Sequence, residues 1–271
     1  MSDQSTPSLV ISSAISLDGH LDRFRPTGDH ANRLILSGPE DFDAVDALRA
    51  DCDALIVGAQ TVRADNPRLL VRDADRRERR IADGRPPSPT RVVITASGRL
   101  HPSSAIFRTP GATTLVYAPS AAVFGLRGLL RDTAAEVVDG GDPLDLAEVV
   151  ADLGRRGSER LLVEGGGVLN TALLGAGLVD WIRLAVAPIF VGDDRAPRWV
   201  YDEGPHSRSA LHRCLVRIER AGRMAVLHYA LSSSERVAMW PSLDAQVTSD
   251  LSNRQGGPDD CTDPTRCRAD R

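Results

Sequence analysis

The sequence contains no lysine: all 33 residues in the lysine-plus-arginine count are arginine. Schiff-base chemistry through an amine side chain is therefore excluded. Every cationic contact must instead be made by a planar guanidinium fork, which suits carboxylates and phosphates. Cysteine is scarce as well. Cys52, Cys214, Cys261 and Cys267 form no C-x-x-C motif, and no H-x-E is paired with a P-C-x-x-C. A disulfide framework and a zinc deaminase centre are both excluded on those grounds. The six-residue step from Cys261 to Cys267 has no histidine near it, which argues against a metal knuckle, and no metal ligand set is expected. No apolar run reaches membrane-spanning length. The opening M-S-D-Q-S-T-P-S lacks the basic and apolar regions of a secretory leader, so a cytoplasmic location is expected. The net charge of −4 gives no electrostatic reason to expect a nucleic acid or an anionic membrane as partner.

What is present is ordinary for a soluble globular chain: 271 residues, 42% hydrophobic and 26% charged. Residues 8–15 read as a buried strand running into a Ser16-Leu17-Asp18-Gly19 turn, followed by a polar loop over 20–33. Ser37-Gly38-Pro39-Glu40 opens a helix. A strand at 54–57 leads into a short helical turn at 59–65, which Asn66-Pro67 stops. Leu69-Leu70-Val71 reads as a brief extended piece, and the charged, proline-rich run 72–90 as a solvated loop. Strands are predicted at 91–95, 113–117 and 134–138, with helices at 120–130 and 143–155. The last segments are a strand at 161–163 with its helix, a strand at 181–187, and a hairpin of 211–219 with 223–231 around Ala221-Gly222. Strands alternating with helices imply an α/β fold: a mostly parallel central sheet flanked by helices, closed by a C-terminal antiparallel hairpin. The pattern is continuous, so one domain is expected over 8–231, with a frayed segment at 1–7 and a disordered tail at 232–271.

The most informative stretch is Leu161-Leu162-Val163-Glu164-Gly165-Gly166-Gly167, after which a helical pattern starts at Val168 and Leu169. A helix start carries unpaired N–H groups and a positive dipole end, and glycine lets an anion approach them. The same three glycines also suit a tight, closely packed strand-to-helix turn, so a phosphate site and a packing turn both stand. Glu164 ends the strand, where an unpartnered buried carboxylate would be costly.

Five segments occur in an order that resembles a known family: S-L-D-G (16–19), V-G-A-Q-T-V-R-A-D-N-P-R-L-L-V-R (57–72), R-V-V-I-T-A-S-G-R-L-H-P (91–102), L-L-V-E-G-G-G-V-L-N-T-A-L-L (161–174) and G-L-V-D-W-I-R-L-A-V-A-P-I-F-V-G (177–192). They are similar to the pyrimidine reductases of riboflavin biosynthesis, both the free-standing enzymes and the C-terminal half of the bifunctional deaminase-reductases. The resemblance implies a dihydrofolate-reductase-like fold, NADPH as reductant and a homodimer. It also implies reduction of the ribosyl group of a phosphoribosylaminopyrimidine, of the 5-amino-6-(5-phosphoribosylamino)uracil reductase type, to a ribitylamino product. A reductase of the same fold acting on a pterin or a specialised metabolite is the alternative. Carried over by position, Glu164 and Asp18 are the implied catalytic residues. Ala14, Thr61, Asp65, Gly165, Gly166, Gly167, Val168, Leu169 and Asn170 are implied to bind the cofactor, with Thr95–Ser97 as a further contact. Arg49, Leu69, Arg72 and Glu164 are implied to bind the substrate, with the two arginines on its phosphate. Read without the family, Asp18 is a turn former, Thr61 and Asp65 a cap and a helix-end residue, and Arg49 an exposed helix arginine. The chain departs from the family pattern in having Ser12 where bifunctional members carry lysine, and Arg33-Leu34-Ile35 in place of a polar-aromatic loop segment.

Overall fold

The structure, a computed structural model, describes residues 6–25, 32–202 and 214–231. Most of the frayed segment expected at 1–7, the tail expected at 232–271 and the Cys261–Cys267 pair lie outside the described residues. A nine-stranded sheet runs in the order β5-β4-β3-β2-β6-β1-β7-β9-β8. Its strands are β1 (Ser8–Ile15), β2 (Ala54–Gly58), β3 (Thr90–Ile94), β4 (Thr114–Ala118), β5 (Ala135–Asp139), β6 (Arg160–Val163), β7 (Trp181–Val186), β8 (Cys214–Ala221) and β9 (Met224–Ala230). Strands β5 to β7 in that order pair in parallel, and β9 and β8 close the far side antiparallel. This is the α/β arrangement expected from the alternation, with the hairpin in its expected place.

Helices cover both faces, which is why the inner strands are continuous apolar runs rather than alternating ones. Leu9, Val10 and Ile11 of β1 are all fully buried. On one face Val10, Val57, Val93, Val116 and Leu162 share a core with residues of α1 (Pro39–Asp51), α2 (Ala59–Asp65) and α5 (Ser120–Leu130). On the other face Leu9, Ile11, Ile56 and Val163 pack with α6 (Leu146–Arg155) and α7 (Gly167–Gly175). The start of α6 is fixed by Asp145, whose carboxylate accepts from the amides of Ala147 and Glu148.

The charged run 72–90 departs from the sequence expectation. It contains a helix, α3 (Ala74–Ala82), capped by Asp73, which accepts from the Arg76 amide. Arg80 is 3% exposed and donates to the carbonyls of Ala50, Cys52 and Pro86. Arg85 donates to the carbonyls of Ala50, Asp51 and Cys52 and to the Asp53 carboxylate. These carbonyls lie at and just beyond the C-terminal end of α1, where acceptors go unpaired and the dipole end is negative. Two of the arginines thus clamp a helix terminus, which a count of charges does not reveal. Leu69 also departs from the expected extended piece: its φ of 48° is left-handed. A four-residue helix, α4 (Ala105–Arg108), was not expected either.

Chain order and strand order diverge at one place. The chain runs from β1 to β2, out to β5, returns to insert β6 between β2 and β1, and then crosses to β7. The carboxyl ends of β1, β2 and β6 therefore flank a topological switch point, where crevices form in parallel sheets.

Beneath the amino-terminal half of α1 lies a buried ion pair. Arg183 of β7 donates to Asp41 at 2.7 Å, with side-chain exposures of 2% and 1%. Removing one member leaves an uncompensated buried charge. Asp41→Ala is expected to lower unfolding free energy by about 3–5 kcal/mol in urea titration, whereas an effect of a few tenths would show that the site rehydrates.

Candidate functional site at the strand switch point

Glu164 follows the last residue of β6, and its amide still donates to the Ile56 carbonyl at 2.9 Å. It falls on the same face as Leu162, toward α1, and there it meets Arg49 from the last turn of that helix. The pair is bidentate: Arg49 Nε lies 2.6 Å from Glu164 Oε1, and Nη2 lies 2.7 Å from Oε2. The third donor, Nη1, reaches the Leu70 carbonyl at 3.1 Å, where the left-handed Leu69 has turned the chain. Burial opposes the charge on Arg49, but the Glu164 carboxylate more than offsets it and holds the guanidinium above its usual range. Arg49 is therefore not an exposed helix arginine. Both side chains are largely buried, at 11% and 15% exposure. The fork locks the carboxylate in one orientation, and the oxygens keep lone pairs for a further partner.

Leu69 itself is buried. Arg72 is exposed, with its guanidinium 5.5 Å from the centre of the Phe42 ring. Its backbone amide is fixed by Asp46, and among the described residues its side chain meets no carboxylate. Of the two arginines implied for a substrate phosphate, one is thus engaged by Glu164 and the other is open to an anion.

Each glycine of the turn has a packing reason. A Cβ on Gly165 would lie 3.0 Å from Leu169 Cδ2, and one on Gly166 would lie 3.0 Å from Thr61 Oγ1. One on Gly167 would lie 2.0 Å from the Arg198 carbonyl oxygen. The turn is thereby pressed between α2 and a strap at 196–201. The strap is tied down by the Tyr201 amide donating to Thr171 Oγ1 at 2.9 Å and the Trp199 amide donating to the Gly19 carbonyl. The sequence pattern marks no element over the strap; its aromatic Trp199 and Tyr201 were the available signal. Both α7 and α2 follow the carboxyl ends of adjacent parallel strands and start without a side-chain cap, so their first amides carry no capping side chain. Val168 is half exposed, Leu169 packs toward Gly58, and Asn170 is fully buried. Asn170 donates to the Trp199 carbonyl, while its Oδ1 has no hydrogen-bond partner.

The remaining implied residues are placed as follows. Ala14 pairs with Ala185 three residues beyond the last β1–β6 partner. Asp18 accepts from Ser16 Oγ at 2.5 Å and from the amides of Val191 and Gly192 at 3.1 and 2.8 Å. These bonds, Ser16 first, hold its carboxyl far below the usual carboxylate range, so it stays ionised and binds two loops together. Asp65 is ion-paired with Arg25 at 3.0 Å and with Arg33 at 3.5 Å. Ser12 stands opposite Arg183 in register and is buried. Among the described residues no group of acidic, histidine or cysteine side chains is arranged to hold a metal ion, and no helix is long and apolar enough to cross a membrane.

Fold and site together define an α/β protein whose strand switch point is flanked by two uncapped helix starts and an arginine-locked glutamate. The RibD C-terminal domain family matches residues 7–227, and the chain belongs to that family. It is 37% identical over 217 residues to the 2,5-diamino-6-ribosylamino-4(3H)-pyrimidinone 5′-phosphate reductase of Archaeoglobus fulgidus, covering 80% of this chain and 94% of that one. The protein of the same name from Methanothermobacter thermautotrophicus is 36% identical, with 73% and 85% covered. In fold the chain is similar to Acinetobacter baumannii RibD, with a TM-score of 0.67 at 23% identity over 86% of this chain and 60% of that one. A pyrimidine reductase-like protein from Corynebacterium diphtheriae has a TM-score of 0.65 at 19% identity, with 84% and 93% covered.

Gly167→Ala tests the packing of the turn. The new methyl group meets a backbone carbonyl that the strap holds in place, so a loss of about 1–3 kcal/mol is expected in thermal or denaturant unfolding. Unchanged stability would mean that the strap yields freely.

Proposed function

We propose that this chain reduces the ribosyl group of 2,5-diamino-6-ribosylamino-4(3H)-pyrimidinone 5′-phosphate to the ribitylamino chain, in riboflavin biosynthesis, with NADPH as reductant. The observation that carries the reading is the Arg49–Glu164 pair beside two uncapped helix starts. Reduction of an opened sugar needs a hydride donor and an acceptor held face to face, which is positioning rather than nucleophilic chemistry. A nicotinamide dinucleotide supplies the hydride when bound. The residues present fit its pyrophosphate, since helix-start amides without a capping side chain are an anion cradle. In this reading Gly165–Asn170 and Thr61 hold the pyrophosphate, Asp65 lies toward a ribose, and Ala14 borders the nicotinamide. Asp18 fixes the loop beside it.

Glu164 touches the substrate at the reacting end and is aimed by Arg49. Arg72 takes the 5′-phosphate, with Leu69 beneath. The relatives at 32–37% identity carry the diamino name, which favours the amino form over the uracil form suggested by the bifunctional enzymes. No relative of that group is named for a pterin, so the pterin alternative has no support of its own. The same reading carries a homodimer. Strand β8 is an edge strand with Leu215 and Ile218 exposed, and light scattering on the purified protein checks the mass.

Purified protein should oxidise NADPH with the diamino substrate and release the ribitylamino product, followed by absorbance and mass spectrometry. Turnover with neither the diamino nor the uracil form would sink the proposal. Glu164→Gln should lower kcat by about 10²-fold or more while leaving NADPH affinity in place. Asp65→Ala should do the reverse, weakening cofactor binding with little change in kcat.

A further inference from the structure

Arg72 is exposed, yet the backbone that carries it is held on both sides. The carbonyl of Leu70 accepts from Arg49 Nη1 at 3.1 Å, and those of Val71 and Arg72 both accept from Arg77 Nη1, the first at 3.1 Å. The amide of Val71 donates to Ser88 Oγ at 3.1 Å. The next two amides, of Arg72 and Asp73, donate to the two oxygens of a single carboxylate, Asp46, at 2.7 and 3.1 Å. Asp46 is 4% exposed, and its Oδ2 also accepts from Arg76 Nη1 at 3.2 Å. One buried side chain on α1 thus brackets Arg72, taking the amide in front of its Cα and the amide behind it.

Asp46 does not stand alone on its helix. Phe42, Asp46 and Arg49 follow one another at steps of four and three residues, the spacing of one helix face. All three meet the segment after the left-handed Leu69. Arg49 takes the Leu70 carbonyl, Asp46 takes the two amides around the Arg72 Cα, and the Phe42 ring centre lies 5.5 Å from the Arg72 guanidinium. The helix face that aims Glu164 through Arg49 therefore also sets the root and the resting place of Arg72. An arginine on a free loop loses backbone and side-chain freedom when it closes on an anion. Here the backbone part is already fixed, and the ring restricts the guanidinium, whose N–H groups meet no carboxylate among the described residues.

We propose that Asp46 and Phe42 are positioning residues for the substrate's 5′-phosphate: Asp46 fixes the main chain of Arg72, Phe42 steadies its guanidinium, and neither touches the substrate. The proposal rests on the functional reading above, in which Arg72 takes that phosphate. It assigns affinity for an anion to a carboxylate, a group that would repel the phosphate on contact and that acts only through the arginine it holds. Two tasks are thereby separated on one helix. Arg49 serves the reacting end through Glu164, whereas Asp46 and Phe42 serve the phosphate end through Arg72. Damage to the second pair should raise KM without lowering kcat.

The test combines steady-state kinetics of the full chain on the diamino 5′-phosphate substrate with calorimetric titration of NADPH. Wild type is compared with Asp46→Asn, Phe42→Ala, Arg72→Ala and the two double variants that add Arg72→Ala to each of the first two. Thermal melts check that each is folded. KM should rise about tenfold in Asp46→Asn and about threefold in Phe42→Ala, with kcat changed by less than about twofold and NADPH affinity kept. In the Arg72→Ala background neither substitution should lower kcat/KM further, because the arginine through which it acts is gone. An unchanged KM, a fall in kcat, a parallel loss of NADPH affinity or additive effects in the double variants overturn the assignment and leave Asp46 a general brace of the loop. Should Asp46→Asn fail to fold, the Phe42→Ala cycle decides by the same outcomes, since that side chain is 41% exposed. Wild type without turnover overturns the functional reading and this inference with it, whereas an active wild type with unaltered variants overturns this inference alone.

Discussion

The bidentate bond between Arg49 and Glu164 is the contact through which the rest of the site is connected. It joins the C-terminal turn of α1 to the residue that ends β6, and it draws in the Leu70 carbonyl across the left-handed Leu69. Three segments that are far apart in sequence are thereby fixed at one point. The geometry also decides chemistry. An isolated carboxylate at a strand end would move and exchange partners with water, whereas a forked guanidinium holds both oxygens at once. Arg80 and Arg85 extend the same chain of support. They grip the carbonyl end of α1, the end from which Arg49 projects.

Much of this was legible in the sequence, for physical reasons that can be named. Strand and helix positions were readable because strands buried on both faces are unbroken apolar runs, as at Leu161-Leu162-Val163, and because helices carry spaced apolar stripes, as at Val149, Val150 and Leu153. The switch point was not readable from spacing, since nothing in β6 alone says that it inserts between β2 and β1. What the sequence misjudged was charge. The run from Arg72 to Arg85 reads as solvated because formal charges are counted there, yet Arg80 is buried and satisfied by carbonyls. Arg91 is a second case: 3% exposed, it donates to the carbonyls of Arg68, Thr109 and Ala112. Backbone acceptors do not show in a sequence as acids do.

The glycine turn illustrates how two readings left open by sequence relate in three dimensions. Packing against Leu169, Thr61 and the Arg198 carbonyl accounts for each glycine in turn, with no appeal to a ligand. That does not compete with anion binding. Close packing of α2 and the strap against the turn brings two uncapped helix starts near each other, and in the proposed reading their amides serve one anion. The packing reading explains the glycines, and the empty caps explain what such a turn can bind.

The absence of lysine gives a last step of argument about where charge sits. With guanidinium the sole strong cation, one side chain serves three purposes in this chain, and its partner distinguishes them. Arginines that meet carbonyls, such as Arg80 and Arg91, hold backbone ends. Arginines that meet carboxylates, such as Arg49, Arg25 and Arg183, fix acids in place. Arg72, Arg63 and Arg99 meet no acid among the described residues, although acids are abundant in the chain. Arg72 follows the Leu69–Leu70 turn that touches Arg49, and Arg63 and Arg99 flank the carboxyl ends of β2 and β3. A surface selected for solubility alone would intersperse such charges with acids, as α6 and its neighbours do at Arg155 and Arg156. Leaving such charges unmatched is electrostatically unfavourable in the free protein, and it is offset when an anionic ligand binds them.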